Sequence, residues 1–212
     1  KRDLHTVCEE ARCPNIFECW GQGTATIMIL GETCTRGCRF CAVNTGDPGG
    51  LTDPREPENT ARALEGMGLA YVVMTMVDRD DLLDGGAAHV AKTGRRIKER
   101  CPDLLVETLV GDFQGVRRDV DTLIRDGRPD VFAHNVEVVP RLQRTIRDVR
   151  CSWEQSVGVL RWAKEAGAIT KTSLMVGLGE TQEEMLSAMQ ALREADVDVL
   201  TIGQYLRPTP KH

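Results

Sequence analysis

Cys34, Cys38 and Cys41 stand in the run Gly-Glu-Thr-Cys-Thr-Arg-Gly-Cys-Arg-Phe-Cys, directly after a short apolar stretch. Thiolates are soft ligands suited to iron-sulfur clusters, and a cubane offers four irons to be ligated. Three cysteines leave one iron open. An open iron binds a substrate or cofactor through nitrogen and oxygen, whereas an electron carrier normally closes the shell with a fourth cysteine, so the spacing favours catalysis. The competing reading is zinc, which ordinarily shows paired Cys-x2-Cys units and a fourth Cys or His. His5 and His134 lie at no recognisable spacing from the triplet. Arg36 and Arg39 within it either moderate a cluster's negative charge or are solvated loop residues.

A second triplet, Cys8-x4-Cys13-x5-Cys19, precedes the first. One short wrapping segment could bring these thiolates onto a second cluster, again without a fourth cysteine. Cys101 and Cys151 fall near a helix end and a helix start; unpaired cysteine is commonly a small buried hydrophobe, so neither is read as a ligand. Eight cysteines in a small secreted chain would suggest disulfides. A chain of 212 residues with alternating strand and helix patterns needs no such staple, which points to metal or chemistry and to a reducing compartment.

The elements that must position these residues are legible as apolar runs: 25–30, 70–77, 104–110, 131–139, 169–178 and 199–206. Between them, helical spacing recurs at Ala61, Leu64 and Met67, at Val90, Ala91, Gly94 and Ile97, at Val116, Val120, Leu123 and Ile124, at Val157, Leu160 and Ala163, and at Met185, Met189 and Leu192. Ser152 with Gln155 and Thr181 with Glu184 have the spacing of capping boxes. Near-continuous apolar strands alternating with helices predict an α/β fold with a parallel sheet, and six such units suit a partial (β/α)6 TIM-type barrel. Functional groups then collect beyond the carboxyl ends of the strands, where the first triplet falls. Residues 1–24 read as an irregular cysteine-rich extension, residues 25–212 as the barrel, and the Pro-Gly-rich stretch 46–57 as a loop entering the first helix.

The composition, 41% hydrophobic and 28% charged with a formal net charge of -5, is that of a folded protein. Basic residues are interleaved with acidic ones, so no nucleic-acid partner is expected. No apolar run approaches the roughly 18 residues of a membrane span, and no membrane partner is expected. The chain opens at Lys1 rather than Met, which suggests a truncated or processed form.

The triplet Cys34-x3-Cys38-x2-Cys41, with Phe40 before its last cysteine, resembles the signature of the radical S-adenosylmethionine superfamily. Within it, "TVCEEARCPNIFECW", "CTRGCRFC", "VDRDDL" followed by "DGGA", "AHNVE", "KTSLMVGLGE" and "GQYLRPT" are similar to the lipoyl synthase family over nearly the whole chain. The resemblance implies two 4Fe-4S clusters. The one on Cys34, Cys38 and Cys41 would bind S-adenosylmethionine and cleave it to a 5'-deoxyadenosyl radical; the one on Cys8, Cys13 and Cys19 would donate sulfur. The implied reaction is insertion of sulfur at carbons 6 and 8 of an octanoyl-lysine. The implied partners are an octanoylated lipoyl carrier domain or glycine cleavage H protein, and an electron donor. A two-cluster electron carrier and another sulfur-inserting radical enzyme are the alternatives.

The same resemblance assigns Asn135, Lys171, Ser173 and Glu180 to the cofactor, and places Arg79 and Asp80, with Asp78 and Asp81, where they could order the cofactor or the acyl-lysine. It implies a mitochondrial location in a eukaryote, which the "CTRGCRFC" context favours slightly, or the cytoplasm in a bacterium. Leu83 and Val138 replace the family's usual Pro and Thr. The family also places an Arg-Ser-Ser-Tyr motif, with a cluster-ligating serine, in a C-terminal segment; the expectation is a fragment lacking it.

Overall fold

The structure, a computed structural model, describes residues 15–210 and 212. Cys8 and Cys13 lie outside the described residues. In chain order the main elements are α1 (Ile16–Gly21), β1 (Thr24–Ile29), β2 (Thr33–Cys34), β3 (Asn44–Thr45), α2 (Glu56–Glu65), β4 (Tyr71–Met76), α3 (Ala87–Arg100) and β5 (Leu105–Leu109). They continue with α4 (Arg117–Thr122), β6 (Val131–Ala133), α5 (Gln143–Ile146), α6 (Trp153–Glu165), β7 (Thr170–Val176), α7 (Gln182–Glu194) and β8 (Val199–Gln204).

Six strands form one sheet in the order β1-β4-β5-β6-β7-β8, every neighbouring pair parallel. With helices between them, they make the partial barrel that the alternating pattern predicts. The outer faces of β1, β4 and β5 are dry, whereas β8 at the open edge buries none of its residues. Ala25, Ile27 and Ile29 of β1, Val72 and Met74 of β4 and Val106 of β5 are buried. Many of these pack with Leu64 of α2 and Val90 and Ile97 of α3 in one core cluster. A second cluster joins Leu174 of β7 to Val157 and Leu160 of α6 and Leu192 of α7.

The alternate residues point into the barrel, where a polar floor forms. Tyr71 Oη donates to Glu107 Oε2 at 2.6 Å, and Lys171 Nζ donates to the same carboxylate at 2.7 Å. Burying Glu107 is tolerable because both partners satisfy it.

Three readings of the sequence need correction. The fourth apolar run does not continue as strand to 139: β6 ends at Ala133, and Glu137, at φ 67°, touches β7 through a single bridge to Leu174. Residues 16–21, expected to be irregular, form α1; it buries none of its residues, so no apolar period announced it. Of the two capping boxes, Thr181 and Glu184 complete theirs, but Gln155 turns its side chain away to Arg150 O and leaves Ser152 with half of one. The short pair β2 and β3 carried no apolar signal at all.

Candidate functional site

The first triplet lies on the loop that leaves β1, and its shape is imposed from three directions. Leu30 and Gly31, at φ 65° and 84°, turn the chain out of the strand. Cys34 pairs with Thr45 across β2 and β3, which cinches the loop at its base. Thr35 then ties it to the end of β4, its N–H and its hydroxyl both donating to Asp78 O at 2.9 Å. On the far side, Arg39 N–H donates to Ile146 O at 2.8 Å and Gly37 N–H to Asp148 Oδ2 at 2.9 Å.

Arg36 locks the arrangement from inside. Its five bonds go to Asp80 at 2.9 and 2.8 Å, to Asp112 at 2.8 and 2.7 Å, and to Cys151 Sγ at 3.4 Å. Five bonds use every N–H a guanidinium has. Burial alone would lower its pKa, but the bonds to Asp80 and Asp112 outweigh that and hold it above its ordinary value. Burial likewise favours the neutral form of Asp112, yet Arg36 keeps its pKa below the usual carboxylate range.

Cys34, Cys38 and Cys41 are half-buried free thiols that line one cavity of about 250 Å³ at the carboxyl ends of the strands. Two of the sulfurs accept a backbone N–H: Cys34 from Arg36 at 3.4 Å and Cys38 from Asp148 at 3.4 Å. Such donors suit thiolates. Burial pushes Cys34 and Cys41 above the ordinary thiol pKa, so without metal they are protonated at neutral pH and ligation must displace the protons. The nearness of Cys38 and Cys151 sets that pair apart, Cys38 pushed up and Cys151 pulled down to about 7.

Among the described residues, no three His, Cys, Asp or Glu side chains gather closely enough to hold one metal ion. Zinc would need four donors about a single point. A cubane asks something different, since each thiolate binds a separate iron, and three thiols spread around a cavity meet that need. The rest of the lining agrees. Arg147 is buried, faces the cavity, and leaves Nε without a partner. Burial pushes the cavity's Asp78 up to about 6 and also raises Glu137, against the pull of Arg36 on the first and of Arg147 and Asn135 on the second. A cation with a free donor, beside acids pushed toward neutrality, fits an anionic cluster.

The sequence model of the radical SAM superfamily matches residues 28–203, most of the chain. The chain belongs to the radical SAM superfamily. Among its relatives is the lipoyl synthase of Sorangium cellulosum (strain So ce56), 63% identical over all of this chain and 61% of its own length. The mitochondrial lipoyl synthase of Rattus norvegicus is 58% identical over 99% of this chain and 58% of its own. The chain thus spans about three-fifths of these relatives. A crystal structure of methylornithine synthase superposes with TM-score 0.68 at 20% identity, covering 85% of this chain and 53% of that one, which shows the shared fold.

The other residues singled out from the sequence are scattered around this radical SAM cavity. Asn135 lines it, and its side chain bonds to Glu137. Lys171 does not line it; the lysine sits at the start of β7, held by Glu107 on the barrel floor. Ser173 lies one inward position further along β7 and is also absent from the lining. Glu180 accepts the N–H groups of Gly177 at 2.6 Å and Leu178 at 2.9 Å, which closes the turn after β7. Arg79 is buried and acts as a strut, reaching Leu30 O at 3.0 Å, Leu51 O at 2.8 Å and Asp81. Asp80 is taken up by Arg36 and by Arg150 at 3.0 Å. Cys19 lies in α1 as a half-buried free thiol.

Sequence reasoning missed the Arg36 clamp, Arg147 and the place of Cys151. Asp112 alone had a usable signal, because it follows β5 at a strand's carboxyl end.

Proposed function

We propose that this chain is the catalytic barrel of a lipoyl synthase, which inserts two sulfur atoms at carbons 6 and 8 of an octanoyl-lysine on a lipoyl carrier domain or glycine cleavage H protein. The observation that carries the reading is the set of three thiols on one cavity at the carboxyl end of β1, in a chain so similar to lipoyl synthases along its whole length. Cys34, Cys38 and Cys41 would hold one 4Fe-4S cluster. Residues 1–24, with Cys8, Cys13 and Cys19, would hold a second as a separate N-terminal segment beside the barrel of residues 25–212. When bound with S-adenosylmethionine and fed by an electron donor, the first cluster supplies a radical able to attack unactivated C–H bonds that acid-base chemistry cannot reach.

What the chain's own residues contribute is position and shielding. Backbone N–H groups aim the sulfurs of Cys34 and Cys38, and the Arg36 clamp holds the cysteine loop to the ends of β4 and β5. Asn135 presents an amide to the cavity at the end of β6, suited to the polar parts of the cofactor. Glu180 closes the turn after β7 at that end of the sheet, Lys171 and Ser173 face the barrel interior below it, and Arg79 and Asp80 fix the rim over which the acyl-lysine enters. By analogy with the relatives, the place of action is the mitochondrion if the source is eukaryotic and the cytoplasm if bacterial. Among the described residues, no helix is long and apolar enough to cross a membrane.

The test is anaerobic reconstitution with iron and sulfide, followed by reductant, S-adenosylmethionine and an octanoyl-lysine peptide, with products followed by mass. The expected result is 5'-deoxyadenosine from the parent chain and none from Cys34→Ala, with sulfur-bearing peptide appearing only when the second triplet is intact. A cluster-loaded parent chain that yields no 5'-deoxyadenosine overturns the proposal.

A further inference from the structure

We infer that Glu56 is a positioning residue for the cysteine loop: its carboxylate holds the left-handed turn at Leu30, from which that loop leaves β1, and so sets where Cys34 stands. This rests on reading Cys34, Cys38 and Cys41 as cluster ligands.

Leu30 is the first residue past β1 and stands at φ 65°, a conformation that leucine keeps only where its surroundings enforce it. Three neighbours do so. The last residue of β1 paired with β4 is Ile29; beyond it, Leu30 N–H donates to Glu56 Oε2 at 3.0 Å, and Leu30 O accepts from Arg79 Nη1 at 3.0 Å. The leucine side chain is buried beside Gly86, where an added Cβ would lie 2.6 Å from Leu30 Cδ1. Packing thus wedges the residue, and two side chains take up the backbone groups that the turn frees.

Glu56 is itself aimed. It opens α2, and His89 Nε2 of α3 lies 2.7 Å from the same oxygen that serves Leu30. A carboxylate only accepts, so Nε2 carries the hydrogen and one oxygen satisfies both donors. Leu64 of α2 and Val90 of α3 share a core cluster with Ile27 and Ile29 of β1, so the barrel wall fixes where that oxygen stands. Only Gly31, Glu32 and Thr33 separate Leu30 from Cys34. Beyond Cys34 the chain is fastened again, Thr35 being tied to Asp78 O. Cys34 therefore hangs between two fastenings, and Glu56 supplies one. Without an acceptor there, a buried N–H goes unmet, and the turn is driven toward a conformation that finds it another partner.

The experiment places Glu56→Gln and Glu56→Met in a chain carrying Cys8→Ala, Cys13→Ala and Cys19→Ala, so that a single cluster is read. Both substitutions remove the charge and keep the length of the side chain; only glutamine keeps an oxygen for Leu30 and His89. Each chain is reconstituted anaerobically with iron and sulfide, and iron per chain and the electron paramagnetic resonance spectrum of the reduced cluster are recorded beside urea unfolding of the metal-free chain. The glutamine variant is expected to match the parent in iron and spectrum, and the methionine variant to bind less iron or give a shifted spectrum. A methionine variant with the parent's iron and spectrum overturns the inference even where its unfolding midpoint falls, because Glu56 then supports only the barrel wall. Equal losses in both variants overturn it too, since charge rather than the held turn would be what matters. Glu56→Ala replaces a methionine variant that does not fold; if neither folds, the residue is structural and the inference falls. These outcomes leave the proposed function intact, whereas a parent that takes up no cluster overturns both readings.

Discussion

Arg36 directs every N–H at a carboxylate or a sulfur, and those partners come from the ends of β4 and β5 and from the loop before α6. Removing one side of a buried ion pair strands the other, at a cost of about 3–5 kcal/mol. Arg36→Gln is therefore expected to lower unfolding stability by that order in urea titration. A loss under about 1 kcal/mol would mean that the clamp contributes little. At this scale the sequence was partly legible. The Cys34, Cys38 and Cys41 spacing is local and announces itself, whereas Arg36 lies 44 residues from Asp80 and 76 from Asp112, so no window of sequence links them. Lys171 shows the limit of residue type: a lysine suits a cofactor, and the fold gives it Glu107 as a partner 64 positions away.

At the scale of elements, the strand ends do the positioning, and how closely they approach one another matters. A Cβ at Gly111, just past β5, would lie 2.2 Å from Asp78 Oδ1 at the end of β4. No real contact is that short, so Gly111→Ala must push the Asp78 carboxylate or the backbone aside. Overpacking of this kind costs about 1–3 kcal/mol. The expected outcome is a loss of that size in thermal or urea unfolding, together with reduced iron uptake, because Asp78 O anchors the cysteine loop through Thr35. Unchanged stability and iron uptake would show that the strand ends have slack. The apolar runs predicted β1, β4, β5, β7 and β8 well. They failed after β6 because Val136, Val138 and Val139 are buried by packing on the second core rather than by sheet pairing.

For the whole molecule, His134 joins three parts of the barrel. Its Nδ1 meets Val110 O at 2.8 Å, and since a carbonyl only accepts, that nitrogen carries the proton; Nε2 then accepts from Ser156 Oγ at 3.0 Å. Ser156 in turn accepts from Arg147 Nη1 at 2.8 Å, so the neutral ring is built into the network. Burial, with Arg147 nearby, pulls its pKa down to about 4. The unfolded chain, with an ordinary histidine near 6.5, binds the proton first as pH falls, so folding stability is lost between about pH 6.5 and pH 4. The drop from this residue is about 3 kcal/mol. His134→Gln is expected to flatten the urea-denaturation midpoint across that interval; an unchanged slope would assign acid sensitivity elsewhere.

The sequence by itself determined the alternation of strands and helices, the parallel barrel, the place of the first cysteine triplet after β1 and, through its motifs, the superfamily. Those properties are written in local spacing and in apolar periodicity, which neighbouring residues carry among themselves. Only the tertiary structure decided that Arg36 is a clamp rather than a solvated cation, that Lys171 is bound to the barrel floor, and that Cys151 lies against Arg36. Each depends on which distant segments the closing sheet brings within hydrogen-bond distance, and that distance is set by twist and packing across the barrel rather than by position along the chain.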